Sequence, residues 1–215
     1  LKELKNIMSV NIITKTVGAF GTNCYLVYDD HKVGVIIDPG DDAPELERTI
    51  KAYGLDIKAI LLTHGHCDHL IGAAQLEKDL HLPLYVHSQD VKAVNRCKSD
   101  AVELGLVCHE IPQITGTLED GQTFKAGELV FNILHTPGHT PGGQVLVCDK
   151  HAFCGDTIFH GSIGRTDFHD GDHTALIDSI KNKVYTLPDS TILYPGHGSQ
   201  SSVGYEKKHN PFVRA

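Results

Sequence analysis

Four side chains of the kind that bind transition metals occur within six consecutive residues: His64, His66, Asp68 and His69. They directly follow residues 57–62, a nearly continuous apolar run typical of a buried β-strand. Gly65 and the short spacing favour a tight loop here. Imidazole and carboxylate ligands suit a borderline cation such as Zn²⁺. The spacing predicts that His64 and His66 face one ion, while Asp68 and His69 turn toward a second.

Three further candidate ligands each follow an apolar strand-like segment and a glycine: His139, Asp156 and His197. The glycine allows the tight turn and the close backbone approach that aim a side chain inward from a strand end. Alone, each residue would more often be a hydrogen-bonded loop residue than a ligand. Together with the first cluster they predict ligands for two divalent ions. Zn²⁺ is the default, and Fe or Mn are compatible with His and Asp ligands.

The hydrophobic pattern places these residues at the ends of strands. Strands are predicted at 10–17, 24–28, 33–38, 57–62, 84–86, 122–124, 129–134, 144–147, 152–154 and 191–194. Helices are predicted at 43–53, 70–80, 89–96 and 174–185, whereas residues 100–121 have no clear period. This order favours two sheets with helices on their outer faces. One domain over residues 8–215 is expected, and residues 1–7, which precede Met8, are expected to be a tag or an N-terminal extension.

Composition restricts the class of partner and the compartment. A formal net charge of −8 without a dense Lys/Arg run argues against nucleic acid or an anionic membrane as partner. No apolar run approaches the ~20 residues that cross a bilayer, and the first five residues lack a signal-peptide pattern, so a cytoplasmic location is expected. The six cysteines include no C-x-x-C pair, which predicts reduced, buried thiols.

Four motifs, in this order, resemble the metallo-β-lactamase superfamily: T-H-x-H-x-D-H at 63–69, G-H-T at 138–140, G-D-T at 155–157 and P-G-H-G at 195–198. Residues 22–25, 37–40, 163–167 and 210–212 extend the resemblance to the short, single-domain glyoxalase II-like hydrolases. The resemblance covers nearly the whole chain. It implies a mixed α/β fold, a four-layer αββα sandwich with the metals at one edge of two mixed sheets, and no C-terminal helical substrate domain.

The same resemblance implies a role for each candidate ligand. His64, His66 and His139 would bind one metal, and Asp68, His69 and His197 the second. Asp156 would bridge the two ions. Asp38 would support the metal-binding loop through hydrogen bonds without itself binding metal. Cys67, inside the first motif, should face away from its ligating neighbours.

A binuclear centre of this kind predicts hydrolysis without a side-chain nucleophile. Two cations sharing Asp156 would lower the pKa of a water between them and supply a hydroxide that attacks a carbonyl, and Asp68 would orient it. No serine lies in a G-x-S-x-G turn, which argues against a serine hydrolase. The resemblance makes the thioester S-D-lactoylglutathione the leading substrate, with another small thioester or ester as the alternative.

Arg165 is the predicted substrate contact. It lies nine positions after Asp156, where the family has a Lys, but the family's Tyr two positions further on is Asp167 here. Arg165 would bind a substrate carboxylate, and a salt bridge with Asp167 is the open alternative. Two rival functions also stay open: a persulfide dioxygenase with one Fe(II), and a non-catalytic metal-binding protein.

Overall fold

The first half of the chain forms one six-stranded sheet. The computed structural model describes residues 9–214, so the expected tag or extension at residues 1–7 lies outside the described part. The strands, in spatial as in chain order, are β1 (Asn11–Val17), β2 (Thr22–Tyr28), β3 (Val33–Ile37), β4 (Asp56–Leu61), β5 (Leu84–His87) and β6 (Ile114–Leu118). The first three strands are an antiparallel meander, and β3 to β6 are parallel. The parallel strands are joined by α1 (Ala43–Tyr53), α2 (Ala73–Leu80) and α3 (Val91–Glu103).

The second half forms the other large sheet. Its elements in chain order are β7 (Thr123–Ala126), β8 (Leu129–His135), β9 (Gln144–Cys148), β10 (His151–Gly155), the hairpin β11 (Ile158–Phe159) and β12 (Ser162–Ile163), α4 (His173–Asn182), β13 (Ile192–Pro195), β14 (Ser201–Ser202) and α5 (Val203–His209). The spatial order of the six-stranded sheet is β14-β13-β10-β9-β8-β7. Strands β8, β10 and β13 therefore run in one direction, since β8 and β10 are each antiparallel to β9 and β13 is parallel to β10.

Three layers of buried apolar side chains hold the sheets and helices together. Strand β2 contributes to two of these layers. Cys24 and Leu26 pack toward α1, α2 and α3, whereas Tyr25 and Val27 pack between the two sheets. Both faces of β2 are covered, so all seven of its residues are buried. A third cluster joins the second sheet to α4 and α5. The predicted four-layer αββα sandwich is confirmed.

Every predicted strand corresponds to an observed strand whose ends differ by one or two residues. Three helices differ more. Helix α4 ends at Asn182, three residues before the predicted end, because Val184–Thr186 form a separate 3₁₀ turn. Helix α2 begins at Ala73, because Cys67–His69 form a separate 3₁₀ turn that carries two of the candidate ligands. Helix α3 continues to Glu103, since Val94, Cys97 and Ala101 extend its buried face beyond residue 96.

Five elements were not predicted. They are β6, an edge strand within residues 100–121 that pairs only with β5 among the described residues, the hairpin strands β11 and β12, the short strand β14, and helix α5. All six cysteines are free thiols, and Cys108 alone among them is only partly buried. Within residues 9–214, no helix combines the length and the apolar character that crossing a membrane requires.

Candidate metal centre

Every candidate ligand lies just beyond the carboxyl end of a strand, in a loop at one edge of the sandwich. The first sheet contributes the loop after β4, with His64 to His69, and the second contributes the loops after β8, β10 and β13. Parallel strands place their carboxyl ends on a common edge, so these loops converge. Gly196 shows how close they are, because a Cβ atom there would lie 2.2 Å from Oδ1 of Asp156.

Hydrogen bonds join the two sheets at this edge. Asn23 donates from its backbone to Gly196 O (2.7 Å) and from its side chain to Pro195 O (3.1 Å), and the Tyr25 hydroxyl also donates to Pro195 O (2.6 Å). From the second sheet, Gln144 donates to Thr63 O (2.9 Å) and to Leu62 O (2.8 Å). The motif at 22–25 therefore fixes the backbone just before His197, and Gln144 fixes the backbone just before His64.

The first ligand group consists of His64, His66 and His139. One ring nitrogen from each lies within 4.8 Å of the others, a spacing that can hold a metal ion. Their ring centroids are 4.5 to 4.9 Å apart. The His139 Nδ1 donates to the backbone carbonyl of Arg165 at 2.8 Å, which leaves its Nε2 lone pair facing the group.

The second ligand group consists of Asp68, His69 and His197. Asp68 Oδ2 lies 3.3 Å from His197 Nε2 and 3.5 Å from His69 Nε2, and the two Nε2 atoms are 3.3 Å apart. Asp156 lies between this group and the first. One of its carboxylate oxygens is 3.5 Å from His69 Nε2, and the other is 3.4 Å from His139 Nε2. The structure thus brings together all seven candidate ligands.

The donor atoms of this cluster fit a cation that they share. The Nε2 atoms of His64 and His139 and the Oδ1 atom of Asp156 are buried without a hydrogen-bond partner. Such orphaned polar groups are rare and each costs about 1–3 kcal/mol, so their convergence calls for a bound group that accepts their lone pairs. A group of three histidines and a group of one Asp and two histidines, with a carboxylate between them, match the donor preference of Zn²⁺ or Fe²⁺.

The pKa values of the histidines in the two groups also agree with a bound cation. Burial lowers the pKa values of His66 and of His139 to about 4, and that of His64 well below its ordinary value, so these imidazoles are neutral near pH 7. Neutral imidazole is the form that binds metal. Burial alone would lower the pKa of His69, but Asp68, Asp156 and Asp38 together raise it to about 10. The second group therefore stabilises positive charge.

Asp38 sits behind the ligands. Its side chain is only 1% exposed and accepts hydrogen bonds from Thr63 N (2.7 Å), Thr63 Oγ1 (2.6 Å) and His69 Nδ1 (3.0 Å). Because Thr63 Oγ1 donates to Asp38, it accepts from His64 Nδ1 at 3.1 Å. Asp38 therefore orients His69 directly and His64 through Thr63, which turns both Nε2 atoms toward the site.

Arg165 does not point into the ligand cluster. Its guanidinium forms a bidentate pair with Asp167 (2.9 Å for both contacts) and lies 4.5 Å from the ring centroid of Phe168. Phe168 in turn packs edge-on against the rings of His66 (5.3 Å) and His139 (5.9 Å). The structure contains the salt bridge that was the alternative role for Arg165. Phe168, an aromatic side chain beside the first group, was not predicted from the sequence, although its proximity to the Arg165 motif offered a signal.

Cys67 faces away from the ligands. Its side chain packs in the cluster between the first sheet and its helices, and burial raises the pKa of its thiol to about 12. A protonated, buried thiol is neither a metal ligand nor a nucleophile.

The protein-family model described as the metallo-beta-lactamase superfamily matches residues 17–197 of this chain, which include every candidate ligand. The chain belongs to the metallo-beta-lactamase superfamily. Hydroxyacylglutathione hydrolase GloC of Haemophilus influenzae is 40% identical to it over 217 residues, covering 97% of this chain and 99% of that protein. This similarity supports a hydrolase.

Two solved structures are also similar to this chain. BLEG-1 B3 metallo-beta-lactamase is similar with a TM-score of 0.87 at 35% identity. The similarity covers 95% of this chain and 100% of the BLEG-1 chain. The protein TTHA1623, solved in a di-iron-bound form, has a TM-score of 0.87 at 36% identity and matches 94% of this chain and 100% of its own.

Proposed function

We propose that this chain is a binuclear metal-dependent thioesterase that hydrolyses small thioesters, with S-D-lactoylglutathione as the first candidate substrate. The observation that carries the proposal is the three-histidine group and the Asp68–His69–His197 group, which have Asp156 between them and leave buried donor atoms without partners. Similarity to hydroxyacylglutathione hydrolase GloC supports a glutathione thioester. Other small thioesters and esters, which the sequence also allows, are included among the substrates of the experiment that tests this proposal.

We assign His64, His66 and His139 to one ion, Asp68, His69 and His197 to the other, and Asp156 to both. When bound, such cations supply Lewis acidity, which polarises a carbonyl and makes water a nucleophile near neutral pH. Zinc is the first candidate metal, and iron is the second because TTHA1623 was solved with two irons.

The protein's own groups orient and enclose the site. Asp38 and the Arg165 carbonyl fix which nitrogen of His69 and of His139 faces inward. Asp68 is held by the Thr22 hydroxyl (3.3 Å), so its carboxylate stays at the open side of the second group. Phe168 covers the rings of His66 and His139 and limits the access of bulk water there.

The proposed function is tested by metal analysis followed by a substrate panel. Protein purified without added metal and then reconstituted should bind two ions per chain, and hydrolysis should depend on both. The panel pairs S-D-lactoylglutathione with a neutral small thioester, the matching oxygen ester and a β-lactam. Oxygen consumption with glutathione persulfide tests the dioxygenase alternative. Full activity with one ion per chain, or no turnover of any thioester, would contradict the proposal.

The β-lactam arm is included for a specific reason. BLEG-1, at 35% identity over its full length, is a B3 metallo-beta-lactamase. A β-lactam carbonyl undergoes the same attack as a thioester carbonyl, so the same residues could serve either reaction. Faster turnover of the β-lactam than of any thioester would reassign the substrate class and keep the metal centre.

Replacing Arg165 by alanine should lower the rate on anionic and neutral thioesters equally. The guanidinium is engaged by Asp167 and by the Phe168 ring, so its loss releases Phe168 and leaves no substrate anion unpaired. The loss should be no more than about fivefold, because exposed ion pairs contribute little. Steady-state kinetics of Arg165→Ala and Asp167→Asn should give matching values. A rise in KM for the anionic substrate alone would assign Arg165 to substrate binding after all.

A further inference from the structure

Asp90 is a second buried carboxylate at the metal centre, and its partners differ from those of Asp38. Its side chain is fully buried, and it lies between the end of β5 and the start of α3. It accepts hydrogen bonds from Gly65 N (2.8 Å), Thr140 Oγ1 (2.7 Å) and Gly142 N (2.6 Å). These partners come from two loops on different sheets.

The two loops that Asp90 joins are those of the first ligand group. Gly65 lies between His64 and His66, and Thr140 directly follows His139. A single carboxylate therefore fixes the distance between the loop that carries His64 and His66 and the loop that carries His139. The residues of the second group, Asp68, His69 and His197, have no hydrogen bond to Asp90 among the described residues.

Two further observations show that the Asp90 side chain binds the two loops and does not cap helix α3. Asp90 is the N-cap of α3, where an Asp side chain ordinarily accepts from the helix's own first N–H groups, yet it makes no such bond. In addition, a Cβ atom at Gly142 would lie 2.6 Å from the Asp90 carboxyl carbon and from its backbone nitrogen. The loop can reach the carboxylate only because residue 142 is a glycine.

We propose that Asp90 is a positioning residue for the first metal group alone, holding the His64–His66 loop and the His139 loop at the separation that metal binding requires. This proposal rests on the metal-binding part of the proposed function and not on its substrate. Asp38 differs in scope, because it contacts His69 directly and His64 through Thr63. Loss of Asp38 should therefore weaken both groups, whereas loss of Asp90 should weaken only one.

Two background variants separate the groups. His197→Ala removes a ligand of the second group and leaves the first intact, and His139→Ala does the reverse. Zn²⁺ is titrated into metal-free protein against a competing chelator in each background, with and without Asp90→Asn. Asparagine keeps the side chain's shape, but its NH2 group replaces one of the two acceptor oxygens and faces an N–H donor there, so either the Gly142 or the Gly65 hydrogen bond is lost. We expect about a 10- to 100-fold weaker affinity in the His197→Ala background and a change under about twofold in the His139→Ala background.

Asp29→Asn is the matched control for general loosening. Asp29 is also fully buried and accepts from His31 N (2.9 Å), Val33 N (3.0 Å) and Glu128 N (2.8 Å). Thr22, at the first end of β2, contacts Asp68. Asp29 directly follows the other end of this strand and therefore lies away from the ligands. Asp29→Asn should lower the melting temperature of the metal-free protein and leave both Zn²⁺ affinities unchanged.

The outcomes discriminate between the two proposals. Equal loss of affinity in both backgrounds, or no loss in the His197→Ala background, would overturn the role of Asp90. A wild-type protein that binds fewer than two ions would instead count against the proposed function. If Asp90→Asn does not fold, Thr140→Val removes one of the hydrogen bonds and should give a smaller loss confined to the first group.

Discussion

Replacing Asp156 by alanine should abolish tight binding of the metal pair and hydrolysis together. Its two carboxylate oxygens lie 3.4 Å from His139 Nε2 and 3.5 Å from His69 Nε2, so one side chain serves both groups. Its loss would leave two cations facing each other without their shared anion. Removing one partner of a buried charge pair costs about 3–5 kcal/mol. Metal affinity should therefore fall by about 150- to 4,000-fold.

Chelator competition and elemental analysis measure the Asp156 prediction, and thioester turnover is followed in parallel. Asp178→Ala is a suitable control, because Asp178 is an exposed carboxylate on α4, outside the ligand groups. An Asp156→Ala protein that binds two ions with wild-type affinity would show that the groups are independent sites.

Replacing Asp38 by alanine should weaken metal binding or turnover by about 10- to 100-fold, the range found for residues that orient metal ligands. The variant loses the acceptor for His69 Nδ1 and leaves the buried Thr63 N–H without a partner. It should also be less stable, since an unsatisfied buried donor costs about 1–3 kcal/mol. Asp38 has a φ of +50°, a region in which alanine is strained and asparagine is tolerated.

Asp38→Asn is therefore the informative companion variant. It keeps the backbone conformation and an acceptor for Thr63, but it presents an amide group where His69 needs an acceptor. Its metal-free form should melt above that of Asp38→Ala, while its metal affinity should stay below wild type. Unchanged metal affinity in both variants would remove Asp38 from the metal centre.

Local pattern was sufficient to predict ten of the fourteen strands and the ligand loops. The apolar run at 57–62 identified β4, and the ligands follow strand ends directly, so a short stretch of sequence contained both the strand and its chemistry. The same reasoning failed for β6, an edge strand with only one fully buried residue, Leu118, and for α5, whose seven residues show too short a pattern.

The roles of Asp90 and Arg165 depend on contacts that sequence spacing does not reveal. Asp90 meets Gly65 across 25 residues within the first half of the chain and Gly142 across 52 residues, and the second contact exists only once the two sheets have packed. The residue types at 165 and 167 allowed either a substrate contact or an ion pair, and only the direction of the guanidinium distinguishes them.

Each ligand group draws on both halves of the chain. His64 and His66 come from the first half and His139 from the second; Asp68 and His69 come from the first and His197 from the second. A bound cation is thus a cross-link between the halves, and by mass action it favours their docked state over any state in which the sheets have separated. During synthesis, the β1 to β6 half emerges with its ligands unmatched, so it cannot complete either group by itself. A metal ion held by a complete group therefore requires the second sheet to be packed on the first.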